Sequence, residues 1–135
     1  MSAEKSRGGG HNGRPQILIV DDEPAILEVL AQFLVDYDVC CVCGGEEALE
    51  QCRSRPFDVI LCDLMMPGLT GMDLHHVLSS MHPRIAERMV FISGGAHNRG
   101  VRDFLQRVGN PRLGKPFTRG AVLEEVAGIL QRHPR

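Results

Sequence analysis

Five short apolar runs alternate along the chain with stretches in which apolar residues recur every three or four positions. The runs have the length and the β-branched content of buried strands, whereas the spaced residues form the apolar stripe of a helix. The runs span residues 16–20, 39–43, 58–63, 89–92 and 111–114, and the first helical stripe covers residues 25–35. Strands that alternate with helices form a parallel sheet with helices on both faces. The sequence therefore predicts an α/β fold.

The limits of the predicted domain follow from where this alternation starts and stops. Residues 1–15 have no apolar periodicity and are rich in glycine, so we expect a flexible tail or linker there. The domain is predicted at 16–131, with a short C-terminal tail at 132–135. A chain of 135 residues can bury roughly two thirds of its unfolded surface, so the fold needs no disulfide or metal to hold it together.

The composition excludes several classes of protein. A net charge of -2 without a long basic run argues against a nucleic-acid-binding surface. No apolar stretch is long enough to cross a membrane and no signal-peptide core is present, which predicts a cytoplasmic domain without membrane contact. The five cysteines form no Cys-x-x-Cys pair and are expected to be small buried hydrophobic residues rather than zinc ligands.

Polar residues follow the apolar runs at the points where the strands should end. In a parallel sheet the carboxyl ends of all strands open on one edge, and ligands bind there. The residues predicted at this edge are Asp21, Asp22, Asp63, Ser93 and Lys115. Clustered carboxylates need a compensating cation, and an all-oxygen cluster favours Mg²⁺. Such a site can hold a phosphoryl group, which Asp63 would accept as an acyl phosphate.

Four segments of the chain resemble, in the right order, the signature of the receiver domain of two-component response regulators. The segments are ILIVDDEP at 17–24, DVILCDLMMPG at 58–68, FISGGA at 91–96 and GKPF at 114–117. The resemblance covers about residues 16–131. It implies a flavodoxin-like (βα)5 doubly wound parallel sheet with strand order 2-1-3-4-5.

The resemblance also implies how the phosphoacceptor and a magnesium ion would be held. Asp63 would take a phosphoryl group from the phosphohistidine of a histidine kinase or a histidine phosphotransfer domain. Asp22, Asp63 and the backbone carbonyl of Met65 would be the direct ligands of Mg²⁺, and Asp21 would act through water. The domain would catalyse its own phosphorylation and dephosphorylation as a signalling unit rather than act as a conventional enzyme.

Two further residues have roles that the resemblance implies. Ser93 matches the switch hydroxyl, and Lys115 would pair with Asp63 and then with the phosphoryl oxygens. The Lys115–Pro116 bond would be cis, which costs an X-Pro bond only about 0.5 to 1 kcal/mol. The surface that faces the kinase would lie around residues 25–29 and Phe117. We expect a monomer or a weak dimer.

Two residues depart from the family pattern. Arg112 stands three residues before the lysine, where the family commonly has Tyr or Phe, and an arginine is costly to bury. The aromatic coupling between Ser93 and the neighbouring surface is therefore not expected, and either another surface or Arg112 itself would contact a partner. Met65 is apolar where many members have a polar group that acts on the attacking water, which predicts a long-lived acyl phosphate.

Two alternatives accompany the main hypothesis, and one choice stays open within it. Aspartate-nucleophile phosphatases also use an Asp at a strand end with Mg²⁺, but they carry a second acid two residues later, where this chain has Met65. A pseudo-receiver would bind proteins without phosphorylation, and the intact set of site residues argues against it. The sequence fits both a single-domain regulator and the receiver of a hybrid histidine kinase, and leaves this choice open.

Overall fold

A computed structural model describes residues 13–95 and 98–135, and strands and helices alternate through this part of the chain. The first twelve residues of the predicted tail, Ala96 at the end of the FISGGA segment and His97 lie outside the described residues. The elements are β1 Gln16–Val20, α1 Pro24–Phe33, β2 Asp38–Val42, α2 Gly45–Ser54, β3 Val59–Asp63, α3 Gly71–Met81, α4 Pro83–Ala86, β4 Met89–Ser93, α5 Arg99–Arg107, β5 Arg112–Gly114 and α6 Arg119–Arg132.

The five strands form one parallel sheet in the order β2-β1-β3-β4-β5, which confirms the predicted fold and strand order. The register aligns the carboxyl ends of the strands, because Val20 lies beside Cys62, Asp63 beside Ile92, and Ser93 beside Gly114. The sheet therefore carries the ends of β1, β3, β4 and β5 along one edge, where the polar residues of the sequence were expected.

The sheet separates two hydrophobic clusters. Leu18, Ile60 and Phe91 face the cluster that includes residues of α2, α3 and α5. Neighbouring strand residues such as Leu61 face the opposite cluster, which includes Leu30 of α1 and residues of α6. Every residue of β3 is buried, as is typical of a central parallel strand covered on both faces. This explains why the third run of the sequence is continuous rather than alternating.

Some element limits differ from the predictions. Helix α1 ends at Phe33 rather than residue 35, and β2 begins one residue earlier than expected, at Asp38. The N–H of Asp38 donates to the carbonyl of Pro15, just before β1, at 3.0 Å. Strand β2 therefore begins at the point where the chain comes to lie beside the start of β1. The sequence did not predict α4, because a single turn of four residues is too short to show an apolar stripe.

The cysteines confirm the prediction only in part. Cys40, Cys52 and Cys62 are buried, and burial raises the pKa of the Cys52 thiol to about 12. Cys43, however, is exposed, so the expectation of a buried hydrophobic residue was wrong there. It follows directly after β2, where the chain leaves the sheet. Within the described ranges, no helix has both the length and the apolar character that a membrane span requires.

Candidate functional site

Three carboxylates meet at the carboxyl edge of the sheet. Asp21 and Asp22 follow β1 directly, and Asp63 is the last residue of β3. One carboxylate oxygen from each lies within 4.8 Å of the others, and we call these three residues the acid cluster. Asp21 and Asp63 are buried, whereas Asp22 is exposed. The acid cluster is thus shielded from solvent at Asp21 and Asp63 and open to solvent at Asp22.

Lys115 places its ammonium group among these acids. Its Nζ lies 3.4 Å from Oδ2 of Asp21, 3.6 Å from Oδ1 of Asp63 and 3.2 Å from Oε1 of Glu23. Burial alone would lower the pKa of Lys115, but the carboxylates of Asp63 and Asp21 raise it above its ordinary value. The lysine therefore stays charged at neutral pH and offsets part of the negative charge of the acid cluster.

The pKa of Asp63 shows that one lysine does not neutralise the cluster. Burial, and after it the charge of Asp21, raise this pKa to about 6 even though Lys115 acts in the opposite direction. The pKa of Asp21 is also raised, mainly by burial, although the Glu23 N–H donates to its Oδ1 at 2.9 Å. Two buried acids with raised pKa values mark a place where a further positive charge would be favourable.

The residues present fit a divalent cation of the hard, oxygen-binding class. Oδ2 of Asp21 is buried, and its contact within the described residues is the ion pair with Lys115 at 3.4 Å rather than a hydrogen bond. This incompletely satisfied carboxylate oxygen, together with the oxygens of Asp22 and Asp63, offers the ligand chemistry that Mg²⁺ prefers.

The strand that carries Asp63 is held close to the helix that follows it. A Cβ added to Gly71, the first residue of α3, would lie 2.5 Å from the Asp63 carbonyl oxygen, so only glycine permits this approach. The Gly71 N–H donates to the carbonyl of Leu64 at 3.1 Å. Thr70 caps α3, and Thr70 and Asp73 form a reciprocal capping box. These contacts fix the loop between Asp63 and α3 at both ends.

Within that loop, Met65 points its side chain to solvent, with 56% of its surface exposed. The neighbouring Met66 is buried, so the loop packs its second methionine into the core cluster and leaves the first outside. The proposed contact of the Met65 carbonyl with a metal ion stays a prediction.

Ser93 and Lys115 reach the edge from adjacent strands. Ser93 is the last residue of β4 and is buried. The Lys115 N–H donates to the Ser93 carbonyl at 2.8 Å, which continues the ladder between β4 and β5 by one bond beyond the strands. The Lys115–Pro116 peptide bond is cis, as the resemblance implied. The structure therefore brings all five of the residues predicted at this edge to the same end of the sheet.

Glu23 is a site residue that sequence reasoning did not single out. Its Oε1 is the carboxylate oxygen nearest to the Lys115 ammonium, and its N–H donates to Asp21. The only signal in the sequence is that Glu23 is the third acid in a row after β1. Its partner stands 92 positions later, so no local pattern could indicate this contact.

The family model described as response regulator receiver domain matches residues 17–127 of the chain. Among relatives, the chain is 27% identical to the probable transcriptional regulatory protein TcrX of Mycobacterium tuberculosis over 90% of its own length and 52% of TcrX. It is 33% identical to the response regulator protein PilR of Pseudomonas aeruginosa over 87% of its own length and 26% of PilR. The chain thus spans about half of the first relative and a quarter of the second.

Solved structures that resemble this chain carry the same kind of description as these relatives. A CheY-like response regulator receiver domain protein from Methanospirillum hungatei superposes with a TM-score of 0.81 at 25% identity, covering 90% of this chain and 97% of that one. A putative response regulator from Chloroflexus aurantiacus superposes with a TM-score of 0.77 at 28% identity, covering 88% and 99%. The similarity therefore extends over the whole sheet and its helices.

Proposed function

The chain belongs to the response regulator receiver domain family, and we propose that Asp63 is its phosphoacceptor, which takes a phosphoryl group from a phosphohistidine. The observation that carries this proposal is the acid cluster with the Lys115 ammonium 3.6 Å from Asp63. Response regulators of two-component systems receive their phosphoryl group from a histidine kinase or a histidine phosphotransfer domain. We propose the same class of donor here.

In the proposed reaction, a carboxylate oxygen of Asp63 attacks phosphorus while the bond between phosphorus and the donor imidazole breaks. The product is an acyl phosphate on Asp63, and the imidazole leaves with its electron pair. Asp22, Asp63 and the Met65 carbonyl would hold Mg²⁺ directly, and Asp21 would hold it through water. The ion would supply positive charge for the phosphoryl oxygens.

The other two site residues would act on the same oxygens from the opposite side. Lys115 already lies between the acids and would transfer its ion pair from Asp63 to the phosphoryl group. Ser93, buried at the end of β4, would donate its hydroxyl to a phosphoryl oxygen. Catalysis in this arrangement is positioning and charge stabilisation, with Asp63 as the only group that changes its covalent bonds.

Acetyl phosphate provides a direct test, because a receiver domain that catalyses its own phosphorylation needs no kinase. We expect labelling of the wild type in the presence of Mg²⁺, and its loss on addition of EDTA. Asp63→Asn keeps the size of the side chain and removes the nucleophile, so it should abolish labelling while Asp58→Asn, on the same segment, should not. Labelling of Asp63→Asn at the wild-type level would exclude Asp63 as the acceptor.

The same experiment separates the rival functions. A pseudo-receiver would show no labelling with any phosphodonor. A phosphatase would turn over a phosphomonoester many times, whereas a receiver accumulates one phosphoryl group per chain. Exposed Met65 stands where the phosphatase hypothesis requires a second acid, which favours the receiver.

We further propose that the receiver unit spans residues 16–131, acts in the cytoplasm and presents residues 25–29 and Phe117 to its kinase. The ring of Phe117 lies 6.4 Å from the ring of Phe33 at the end of α1, so the loop after β5 packs against the helix that carries residues 25–29. Both a stand-alone regulator and a receiver within a hybrid kinase fit this proposal. A phosphotransfer assay against the kinases of the source organism would identify the donor.

A further inference from the structure

A cavity of about 880 Å³ lies at the amino end of the sheet, opposite the acid cluster. It is bounded by the residues that lead into β3 and β4, by the first residue of β1, by the end of α3, by α4 and by Arg135. We call it the amino-end cavity. A strand rises roughly 3.3 Å per residue, so β3 separates this cavity from Asp63 by roughly 15 Å. The amino-end cavity is therefore distinct from the proposed phosphorylation site.

Part of the wall of the amino-end cavity is apolar. The apolar residues that line it are Pro56, Phe57, Met81, Pro83 and Ile85. Phe57 is buried, but Met81, the last residue of α3, leaves 41% of its surface exposed. An apolar group placed against Met81 would remove this surface from water, which is favourable.

The other part of the wall is basic. Three arginines, Arg84, Arg88 and Arg135, line the amino-end cavity, and Asp58 is the one acid among the described residues that line it. Arg135 already uses this acid, because its Nε lies 3.5 Å from Oδ2 of Asp58. The charge of the amino-end cavity is therefore positive.

Arg84 and Arg88 have no carboxylate partner within the described residues. Arg88 donates from Nη1 to the Asp58 carbonyl at 3.0 Å and from Nη2 to the Pro134 carbonyl at 3.1 Å, and both acceptors are uncharged. The side chain of Arg84 is exposed and forms no hydrogen bond or ion pair with a described residue. Both guanidinium groups keep N–H donors for a further acceptor. A carboxylate fits them, because it can accept bidentate hydrogen bonds from a guanidinium group.

A neighbouring acid does not compensate these two arginines. A smaller cavity of about 270 Å³ shares Arg84 and Arg88 with the amino-end cavity and adds Glu87 to the wall. Oε1 of Glu87 lies 3.9 Å from Nδ1 of His133, and this carboxylate forms no ion pair with either arginine in the described structure. The two guanidinium groups therefore remain available to an anion from outside the domain.

The C-terminal residues hold one side of the amino-end cavity in place. Nη1 of Arg135 donates to the carbonyl of Gly13 at 2.6 Å, and Arg88 holds the carbonyl of Pro134. These bonds tie the C-terminal residues to the chain that leads into β1 and to the start of β4. The wall is thus formed before a ligand arrives, which lowers the entropic cost of binding.

We propose that the amino-end cavity binds a small aromatic carboxylate. The carboxylate would pair with Arg84 and Arg88, and the ring would pack against Met81, whose thioether makes favourable contacts with aromatic rings. The volume of the cavity lies within the roughly 300 to 1,000 Å³ that is typical of small-molecule sites. This binding site is additional to phosphoryl transfer and does not depend on Asp63.

Two other occupants fit the amino-end cavity less well. The N-terminal residues 1–12 contain Lys5 and Arg7 but one acid, Glu4, so their charge has the same sign as that of the cavity. An inorganic anion would pair with the arginines but would leave the exposed surface of Met81 in water. An aromatic carboxylate matches both the basic and the apolar part of the wall.

NMR of the full chain with ¹³C-labelled methionine methyl groups tests the proposal, with 2-naphthoate as the probe. Two of the six methionines, Met65 and Met81, have large exposed side chains, and they lie at opposite ends of β3. We expect the naphthalene ring to shift the Met81 methyl signal and to leave that of Met65 unchanged, with a Kd of about 1 mM or below. 2-Naphthamide has the same ring system without the charge, and it should bind at least about fivefold more weakly.

Variants test the two parts of the wall separately, and the fluorescence of 2-naphthoate measures their Kd because the chain has no tryptophan. Arg84→Gln should raise Kd about fivefold, whereas Arg119→Gln, at an exposed arginine on the carboxyl side of the sheet, should change it by less than about twofold. Met81→Ser should raise Kd about threefold. Val35→Ser, at an exposed apolar residue outside the cavity, is its matched control and should leave Kd unchanged.

Several outcomes would overturn the proposal. They are equal shifts of the Met65 and Met81 signals, equal binding of 2-naphthamide, equal losses in Arg84→Gln and Arg119→Gln, and no shift of Met81 at about 5 mM 2-naphthoate. Displacement of the probe by about 10 mM inorganic phosphate, together with unchanged binding in Met81→Ser, would assign the cavity to an inorganic anion instead. Thermal unfolding and acetyl phosphate labelling of each variant should match the wild type, because the substituted side chains are exposed and distant from Asp63.

Discussion

The acid cluster can be compared with the cavity between α5 and β5 that is lined by Arg102, Arg112 and Lys115, which we call the basic cleft. The two regions lie at the same end of the molecule and differ in how their charges are compensated. In the acid cluster, buried carboxylates face one another and share one lysine, so that each charge depends on the others. In the basic cleft, Arg112 is exposed and has no partner among the described residues. Burial makes charges interdependent, whereas exposure leaves them available to a partner, and Lys115 belongs to both regions.

The largest difference in phosphorylation rate is expected between substitutions of Lys115 and Arg112, the basic residues of the two regions. Lys115→Ala removes the only ammonium within 4 Å of Asp63 among the described residues, and we expect labelling by acetyl phosphate to slow by about 100-fold, as for the loss of one transition-state donor. Arg112→Ala should leave the rate within about twofold. Initial rates of labelling with Mg²⁺ measure both, and a similar loss in the two variants would show that the two regions act as one site.

Substitution of Gly71 and of Gly114 by alanine compares how tightly the two regions are packed. In Gly71→Ala the new methyl group would lie 2.5 Å from the Asp63 carbonyl, so α3 or β3 must shift, and overpacking of this kind costs about 1 to 3 kcal/mol. Gly114→Ala meets nothing within 4 Å and should change the free energy of unfolding by less than about 0.5 kcal/mol. Chemical denaturation measures both, and a neutral Gly71→Ala would show that this contact does not constrain the loop.

The dependence on pH should be confined to the acid cluster. Below a pKa of about 6 the Asp63 carboxyl binds a proton and cannot bind a metal ion, so we expect Mg²⁺ affinity to fall about tenfold between pH 7.5 and pH 5. Calorimetric titration of the protein measures it.

The same raised pKa sets the sign of a stability change in the protein freed of metal by EDTA. Because the folded state holds its Asp63 proton more tightly than the unfolded state, between about pH 4 and pH 6 stability falls as pH rises. The metal-free protein should therefore melt at a higher temperature at pH 5 than at pH 7.5. Asp63→Asn lacks this titration and should show a smaller difference.

The smallest effect is expected at Glu23. Its side chain is 62% exposed, and exposed ion pairs contribute little because water and salt screen them. Glu23→Gln should therefore change the labelling rate by less than about threefold, even though Glu23 holds the oxygen nearest to the Lys115 ammonium. A change as large as that of Lys115→Ala would mean that Glu23, and not the acid cluster, positions the lysine.

The sequence predicted the fold from apolar periodicity alone, because the buried strands are continuous and the helices carry a clear stripe. The choice of strand order came from the resemblance to a family, since periodicity does not say which strands are neighbours. The observed limits of some strands and helices differ from the predicted limits by one or two residues, because long-range hydrogen bonds set them. At the start of β2, for example, the N–H of Asp38 donates to the carbonyl of Pro15. The single turn of α4 left no pattern to detect.

The position of the site residues was predictable, but their mutual contacts were not. Parallel strands bring their carboxyl ends together by topology, which is why Asp63, Ser93 and Lys115 could be placed on one edge from the sequence. The contact of Lys115 with Glu23 depends on side-chain reach across 92 positions, and no local pattern contains it. The basic cleft depends on which face of β5 Arg112 occupies and on the position of α5, and both require coordinates.

The order of strands in the sheet also has a consequence for how the domain is made on the ribosome. Strand β1 pairs with β2 and β3, so the acid cluster can assemble from the first half of the chain. Strand β5, which precedes Lys115, pairs only with β4 and emerges last. During synthesis the three carboxylates therefore leave the ribosome before the lysine, and Lys115 can offset their charge only after β4 and β5 have followed.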